Sequence, residues 1–110
     1  MDLNRGDVVT VAVPGDYGKP RPAVVVQADL YNATHNSITL LPLTSTVVDA
    51  PLFRMTIDPS RANGLTRVSQ FMVGKVVTVP REKVGAAVGR LEDEVMLRVG
   101  RALAVWVGIA

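Results

Sequence analysis

Apolar positions along this chain come first in short valine-rich runs and last at helical spacing. Residues 7–13 are dense in valine, and after a stretch of proline, glycine and polar residues a second such run covers 21–27. β-Branched side chains fit a pleated surface, so the pattern predicts two strands flanking a loop. Residues 37–43 predict a third strand and 52–57 a fourth with alternating character. Two more are expected over 68–73 and 75–79, parted by Gly74, whose missing Cβ permits a bulge or a sharp bend. Asn63-Gly64 supplies the residue pair that a tight hairpin turn requires.

The last segment changes period. Val95, Met96, Val99, Ala102, Leu103 and Trp106 recur every three or four residues, which sets them along one face of a helix. Glu92, Asp93 and Glu94 fall where the helix dipole is positive, Arg98 and Arg101 lie toward its negative end, and Gly108 is placed to stop it. Short connections imply antiparallel pairing. The expected fold is mainly β: a small, strongly twisted antiparallel barrel closed by a C-terminal α-helix.

Composition narrows the chemistry. A chain of 110 residues has room for one core, so residues 1–110 are read as a single domain. With 48% hydrophobic and 20% charged residues it can bury that core. Cysteine is absent, which removes thiolate nucleophiles and sulfur-ligated zinc. One histidine, His35, provides neither an imidazole cage for a metal nor an acid–base pair within one chain, so no metal site and no cofactor are expected. The N-terminus lacks the basic start and apolar core of a secretion signal, and the longest apolar run, 102–110, falls short of the ~20 residues a membrane helix needs. A cytoplasmic protein with no membrane contact is expected.

Twelve Lys and Arg against ten Asp and Glu leave a net charge of +2, which decides little by itself. Its distribution is less even. Between residues 50 and 90 stand seven basic and two acidic side chains, and the acids Glu92, Asp93 and Glu94 follow at once. Such a segment is by default a solvated face, and it also suits a polyanion or an acidic peptide.

Among local motifs, Gly15-Asp16-Tyr17-Gly18-Lys19-Pro20 fails as a phosphate loop: its glycine spacing is wrong and Pro20 stands where Ser or Thr would hold magnesium. It reads as a hairpin loop that ends with Lys19 and Arg21 on either side of a proline. An arginine at a strand start either snorkels to solvent or faces an anion, and spacing alone leaves both open. Thr44-Ser45-Thr46 sets three hydroxyls at a strand end, where side-chain oxygens commonly cap a turn. His35 sits among Asn32, Ala33, Thr34 and Asn36, which reads as a polar turn.

Three blocks in order carry a resemblance: Arg5-Gly6-Asp7-Val8-Val9, then Gly18-Lys19-Pro20-Arg21-Pro22-Ala23-Val24-Val25-Val26, then Leu41-Pro42-Leu43-Thr44-Ser45. Asn63-Gly64-Leu65 with Ser69, then Lys75-Val76-Val77-Thr78-Val79 and the helix running into Leu103 to Ile109, extend it over nearly the whole chain. Together they resemble the MazF/PemK family of toxin endoribonucleases. The resemblance implies an SH3-like barrel, a homodimer, and cleavage of single-stranded RNA at short sequences without metal, by attack of a ribose 2′-hydroxyl on the adjacent phosphorus. It further implies an antitoxin whose acidic C-terminal segment lies across the RNA groove. On this likeness the catalytic positions are Arg21 and Thr44, and the substrate-binding positions are Lys19, Ser45, Tyr17 and Ser69.

The chain departs from the family pattern at Gly74, where many relatives carry an acidic residue, and at Pro20, where several carry a histidine or another polar group. A second reading comes from the related CcdB gyrase poisons, which share the fold, lack catalysis and end in Trp-Gly-Ile. Trp106-Val107-Gly108-Ile109 approaches that ending, but Val107 interrupts it, and the place of Trp106 on the apolar helix face predicts a core tryptophan.

Overall fold

The structure is a computed structural model that describes residues 2–12, 18–51 and 53–110. Among them, seven strands and two α-helices follow one another as β1 (Asp7–Val11), β2 (Arg21–Val25), α1 (Asp29–Asn32), β3 (Ser37–Thr44), β4 (Arg54–Ile57), β5 (Ser69–Met72), β6 (Val77–Pro80), β7 (Val84–Arg90) and α2 (Asp93–Trp106). Two single turns of 3₁₀ helix, Val73–Lys75 and Arg81–Lys83, sit before and after β6. All pairings are antiparallel, in the order β4-β5-β3-β2-β1-β7, with β6 added beside β3. The sheet is antiparallel as expected, but its path runs from β4 to β7 without closing into a barrel.

Strand β3 is the spine of the sheet. One edge pairs with β2 from Leu40 to Pro42, while the other pairs with β6 up to Leu40 and with β5 from Leu43. Pro42, which has no N–H to donate, falls where the second edge changes partner, so its missing donor weakens no ladder there. Beyond this point β3 continues beside β5, which in turn carries β4.

Successive strand residues point to opposite faces, and both faces are covered. Val9, Val11, Ala23, Val25, Ile38 and Leu40 pack in one cluster, and Val8, Val24, Leu41, Leu43 and Phe71 in another. This is why the valine runs are continuous rather than alternating. Helix α2 lies on the second cluster through Met96 and Val99, with Val95 and Leu103 partly buried beside them. It stops as the sequence requires: Gly108 has φ +83°, its N–H reaches the Val105 carbonyl at 3.1 Å, and Ile109 N–H reaches Ala104 at 2.9 Å.

Several expectations are corrected. Gly74 parts two strands as expected, by a tight turn rather than a bulge, inside the 3₁₀ helix Val73–Lys75. Asn63-Gly64 forms no two-residue hairpin, since it lies within the longer connection 58–68 between β4 and β5. There Asn63 is buried, and its Oδ1 accepts from Ser60 and Leu65 N–H at 3.0 and 2.9 Å while Nδ2 donates to the Asp58 carbonyl at 3.0 Å. A side chain thus folds the loop from within. Helix α1 and strand β7 escaped the pattern entirely. Leu52, in the expected fourth strand, lies outside the described residues, as does most of the loop over 14–20. No helix among the described residues is long and apolar enough to cross a membrane.

Candidate active site

Arg21 opens β2 opposite Val11 of β1. The β2–β3 register pairs Val25 with Leu40 and ends at Ala23 with Pro42, so Arg21 at the start of β2 and Thr44 at the end of β3 both lie just beyond the last pair. The turn that follows β3 carries Ser45, and the end of the 58–68 connection brings Thr66 and Arg67 to the same place. The result is a cleft of about 220 Å³ walled by Lys19, Arg21, Ser45, Ser69, Thr66 and Arg67 over apolar Leu43 and Leu65. Among the described residues, three cations and no acidic side chain line it. Such a surface concentrates anions.

Four of the six expected site residues therefore share one cleft. Tyr17 lies outside the described residues. Thr44 sits between two lining residues, Leu43 and Ser45, but is itself only 7% exposed. Its Oγ1 accepts the Thr46 N–H at 3.1 Å, the turn cap that spacing alone suggested, and as an acceptor there it keeps its own proton to donate. Ser69 is buried and its hydroxyl donates to the Arg67 carbonyl at 3.0 Å, so it holds the backbone that presents Arg67.

The sequence reading missed Arg67, Thr66 and Gln70. Gln70, 2% exposed and paired with Thr44 across the strands, donates through Nε2 to Val48 O at 2.8 Å and Thr56 Oγ1 at 3.1 Å. Its Oε1 accepts Val48 N–H at 3.0 Å. One amide thus staples the loop after Ser45 to the sheet. Arg67 belongs to the basic middle of the chain, and charge spacing was its only signal.

Two further residues resolve differently. His35 lies in an exposed polar turn as expected, its ring edge-on to Tyr31 at 5.3 Å and its carbonyl accepting from Arg81 at 2.8 and 3.0 Å. Trp106 is no core residue. It is 47% exposed, beyond the last part-buried helix residue, with its ring perpendicular to Phe53 at a centroid distance of 5.6 Å. The indole lies over Gly74, where a Cβ would come within 2.9 Å of it. Among the described residues no cluster of three His, Asp or Glu side chains is assembled.

Known proteins share this fold. The chain is 48% identical over 109 residues to a Mycolicibacterium smegmatis protein named "Probable endoribonuclease MazF", covering 98% of this chain and 99% of that one. Among solved structures it is similar to the Mycobacterium tuberculosis toxin MazF-mt6, with a TM-score of 0.80, 18% identity, and 94% and 98% of the two chains covered. A MazE-MazF crystal structure from Deinococcus radiodurans gives a TM-score of 0.81 at 20% identity, covering 100% of both chains. At those identities the structural matches establish the fold. A family model, the PemK-like, MazF-like toxin of type II toxin–antitoxin systems, matches residues 4–107, and the chain belongs to that family.

Proposed function

We propose that this chain is a toxin endoribonuclease that cuts single-stranded RNA, messenger RNA included, in the Arg21 cleft, and that a cognate antitoxin inhibits it. The observation that carries the reading is the gathering of Lys19, Arg21 and Arg67 with the Ser45 hydroxyl around one cleft whose described lining holds no acid, in a chain 48% identical to a named endoribonuclease.

The ribose 2′-oxygen attacks the adjacent phosphorus, the P–O5′ bond breaks, and the products are a 2′,3′-cyclic phosphate and a free 5′-hydroxyl. Negative charge gathers on the non-bridging oxygens as the phosphorus becomes five-coordinate. The planar guanidinium of Arg21 can donate to two of them at once, while Lys19 and Arg67 hold neighbouring phosphates. Thr44, with its proton still available, orients the 2′-oxygen or the phosphate from beneath Ser45. Ser69 acts through the Arg67 backbone. The described lining contains no imidazole or carboxylate, so the cleft works by charge and orientation, with water exchanging the protons.

An acidic antitoxin segment would compete with RNA for the same three cations. A homodimer, whose size light scattering reads directly, would extend the cleft with a second set.

The test is long single-stranded RNA incubated in chelator with the wild-type chain and with an Arg21→Ala variant of matched melting temperature. Breaks at a few short sequences, lost in the variant, are expected; RNA left intact by the wild type contradicts the proposal.

A further inference from the structure

The loop from β3 to β4 leaves the Arg21 cleft at Ser45 with little to pack on. Residues 45–49 are all exposed, Val47 at 52% and Val48 at 43% included. Apolar burial therefore does little to hold this stretch, and its place depends on hydrogen bonds. One buried side chain supplies the pair at its centre. Gln70 stands on β5 between Thr44 of β3 and Thr56 of β4, paired with both, and is 2% exposed.

Its Oε1 accepts the Val48 N–H at 3.0 Å, while Nε2 donates to Val48 O at 2.8 Å and to Thr56 Oγ1 at 3.1 Å. Both backbone groups of one loop residue are thus answered by one side chain, as a neighbouring strand would answer them. That requires a donor and an acceptor side by side on a planar group, which an uncharged amide has.

Two residues nearer the cleft, Thr46 N–H rests on Thr44 Oγ1 at 3.1 Å, the bond that leaves Thr44 its own proton to donate. Only Val47 separates this cap from the Val48 pair, so a loop released at Val48 releases the cap and Ser45 with it. The cations stand on other segments: Lys19 and Arg21 at the entry to β2, and Arg67 in the 58–68 connection.

We propose that Gln70 is a positioning residue of this cleft: by fixing Val48 it holds Ser45 and the Thr46 cap on Thr44 in the arrangement that cuts RNA, without helping to bind the strand. The inference rests on the endoribonuclease reading.

Two substitutions test it. Gln70→Leu removes the pair at similar volume, and since Val48 and Thr56 are both exposed, water takes up their polar groups and the fold survives. Its kcat should fall about tenfold or more, with affinity for a 2′-O-methylated single strand, which cannot be cut, kept within about twofold. Gln70→Glu supplies the rescue. A neutral carboxyl offers Val48 the same acceptor and donor, whereas a carboxylate has no donor and sets an anionic oxygen against the Val48 carbonyl. Burial disfavours the charged form and lifts this carboxyl above the ordinary ~4.3. The variant should therefore cut like the wild type at low pH and drop to the Gln70→Leu rate as pH rises. The charged groups on the elements around it are Arg54 of β4, Asp49 of the loop and Arg67 ahead of β5, and taking the ratio to the wild-type rate at each pH cancels their own effects.

Hydrogen exchange at the Val48 amide, read as protection relative to the wild type, should fall in step with the Gln70→Glu rate. Wild-type cutting by Gln70→Leu, strand affinity lost along with the rate, or a loss that only follows melting temperature overturns the proposal. So does a Gln70→Glu ratio that stays flat while Val48 protection changes with pH. A wild-type chain that protects Val48 yet leaves RNA whole refutes the nuclease reading, and the exchange measurement alone then decides whether Gln70 sets the loop.

Discussion

At the scale of single residues, Arg21 at the start of β2 and Thr44 at the end of β3 lie on neighbouring strands yet have different surroundings. Arg21 is half-buried at the cleft wall, so its loss should cost chemistry more than stability. Arg21→Ala is expected to lower the cleavage rate about a hundredfold at unchanged melting temperature, and Arg21→Lys to recover little, because an ammonium cannot meet two oxygens with a planar fork. Thr44 is buried and caps the Thr46 N–H. Thr44→Val leaves that donor unmatched and should cost about 1–2 kcal/mol in denaturant unfolding together with activity, whereas Thr44→Ser keeps both. Asp29 shows the same logic in pH. The Arg5 N–H donates to its carboxylate at 2.6 Å and, with Asn32 adding a second hydrogen bond, holds its pKa below the usual value. A depressed folded pKa means the stabilisation is complete above the ordinary carboxylate pKa of about 4 and is lost as pH falls through the folded one. Asp29→Asn should therefore unfold more easily at neutral pH but lose less stability on acidification.

At the scale of elements, glycine decides what the sequence discloses. Strands β1 to β3 were legible because valine and leucine fill both of their faces, and α2 because its apolar spacing ends on Gly108. Strand β7 was not, since Gly85 and Gly89 read locally as breaks. In the fold those positions admit close neighbours: a Cβ on Gly89 would lie 2.2 Å from the Asn63 backbone, and one on Gly85 2.4 Å from the Thr10 hydroxyl. Gly64 serves the same contact from the other side, with φ +70° and the Val88 carbonyl 2.2 Å from where a Cβ would stand. Gly64→Ala should exceed the ~1–2 kcal/mol that a left-handed residue costs, whereas Gly108→Ala, with open space around it, should cost only about that much. Comparing the two melting temperatures checks the distinction. The site was legible in the same measure. Lys19, Arg21 and Ser45 fall in ordered sequence blocks, while Thr66 and Arg67 reach the cleft only because Asn63 folds the 58–68 loop back onto β7.

At the scale of the whole molecule, a net charge of +2 conceals cations sorted by place, three around the Arg21 cleft and three around the aromatic pair. Binding through phosphates releases counterions, so RNA affinity should fall linearly with salt on logarithmic axes. Arg67→Ala should weaken binding of all sequences alike and lower that slope by about 0.7, the share of one phosphate on a single strand.

The most direct measurement uses an RNA whose cleavage site has been mapped, remade with a single 2′-deoxy nucleotide just before the scissile bond. The wild-type chain should leave this strand whole while cutting the unmodified one to a 2′,3′-cyclic phosphate and a 5′-hydroxyl end. Cleavage of the deoxy strand at the mapped position, or equal cutting of the unmodified strand by Arg21→Ala, would contradict the account.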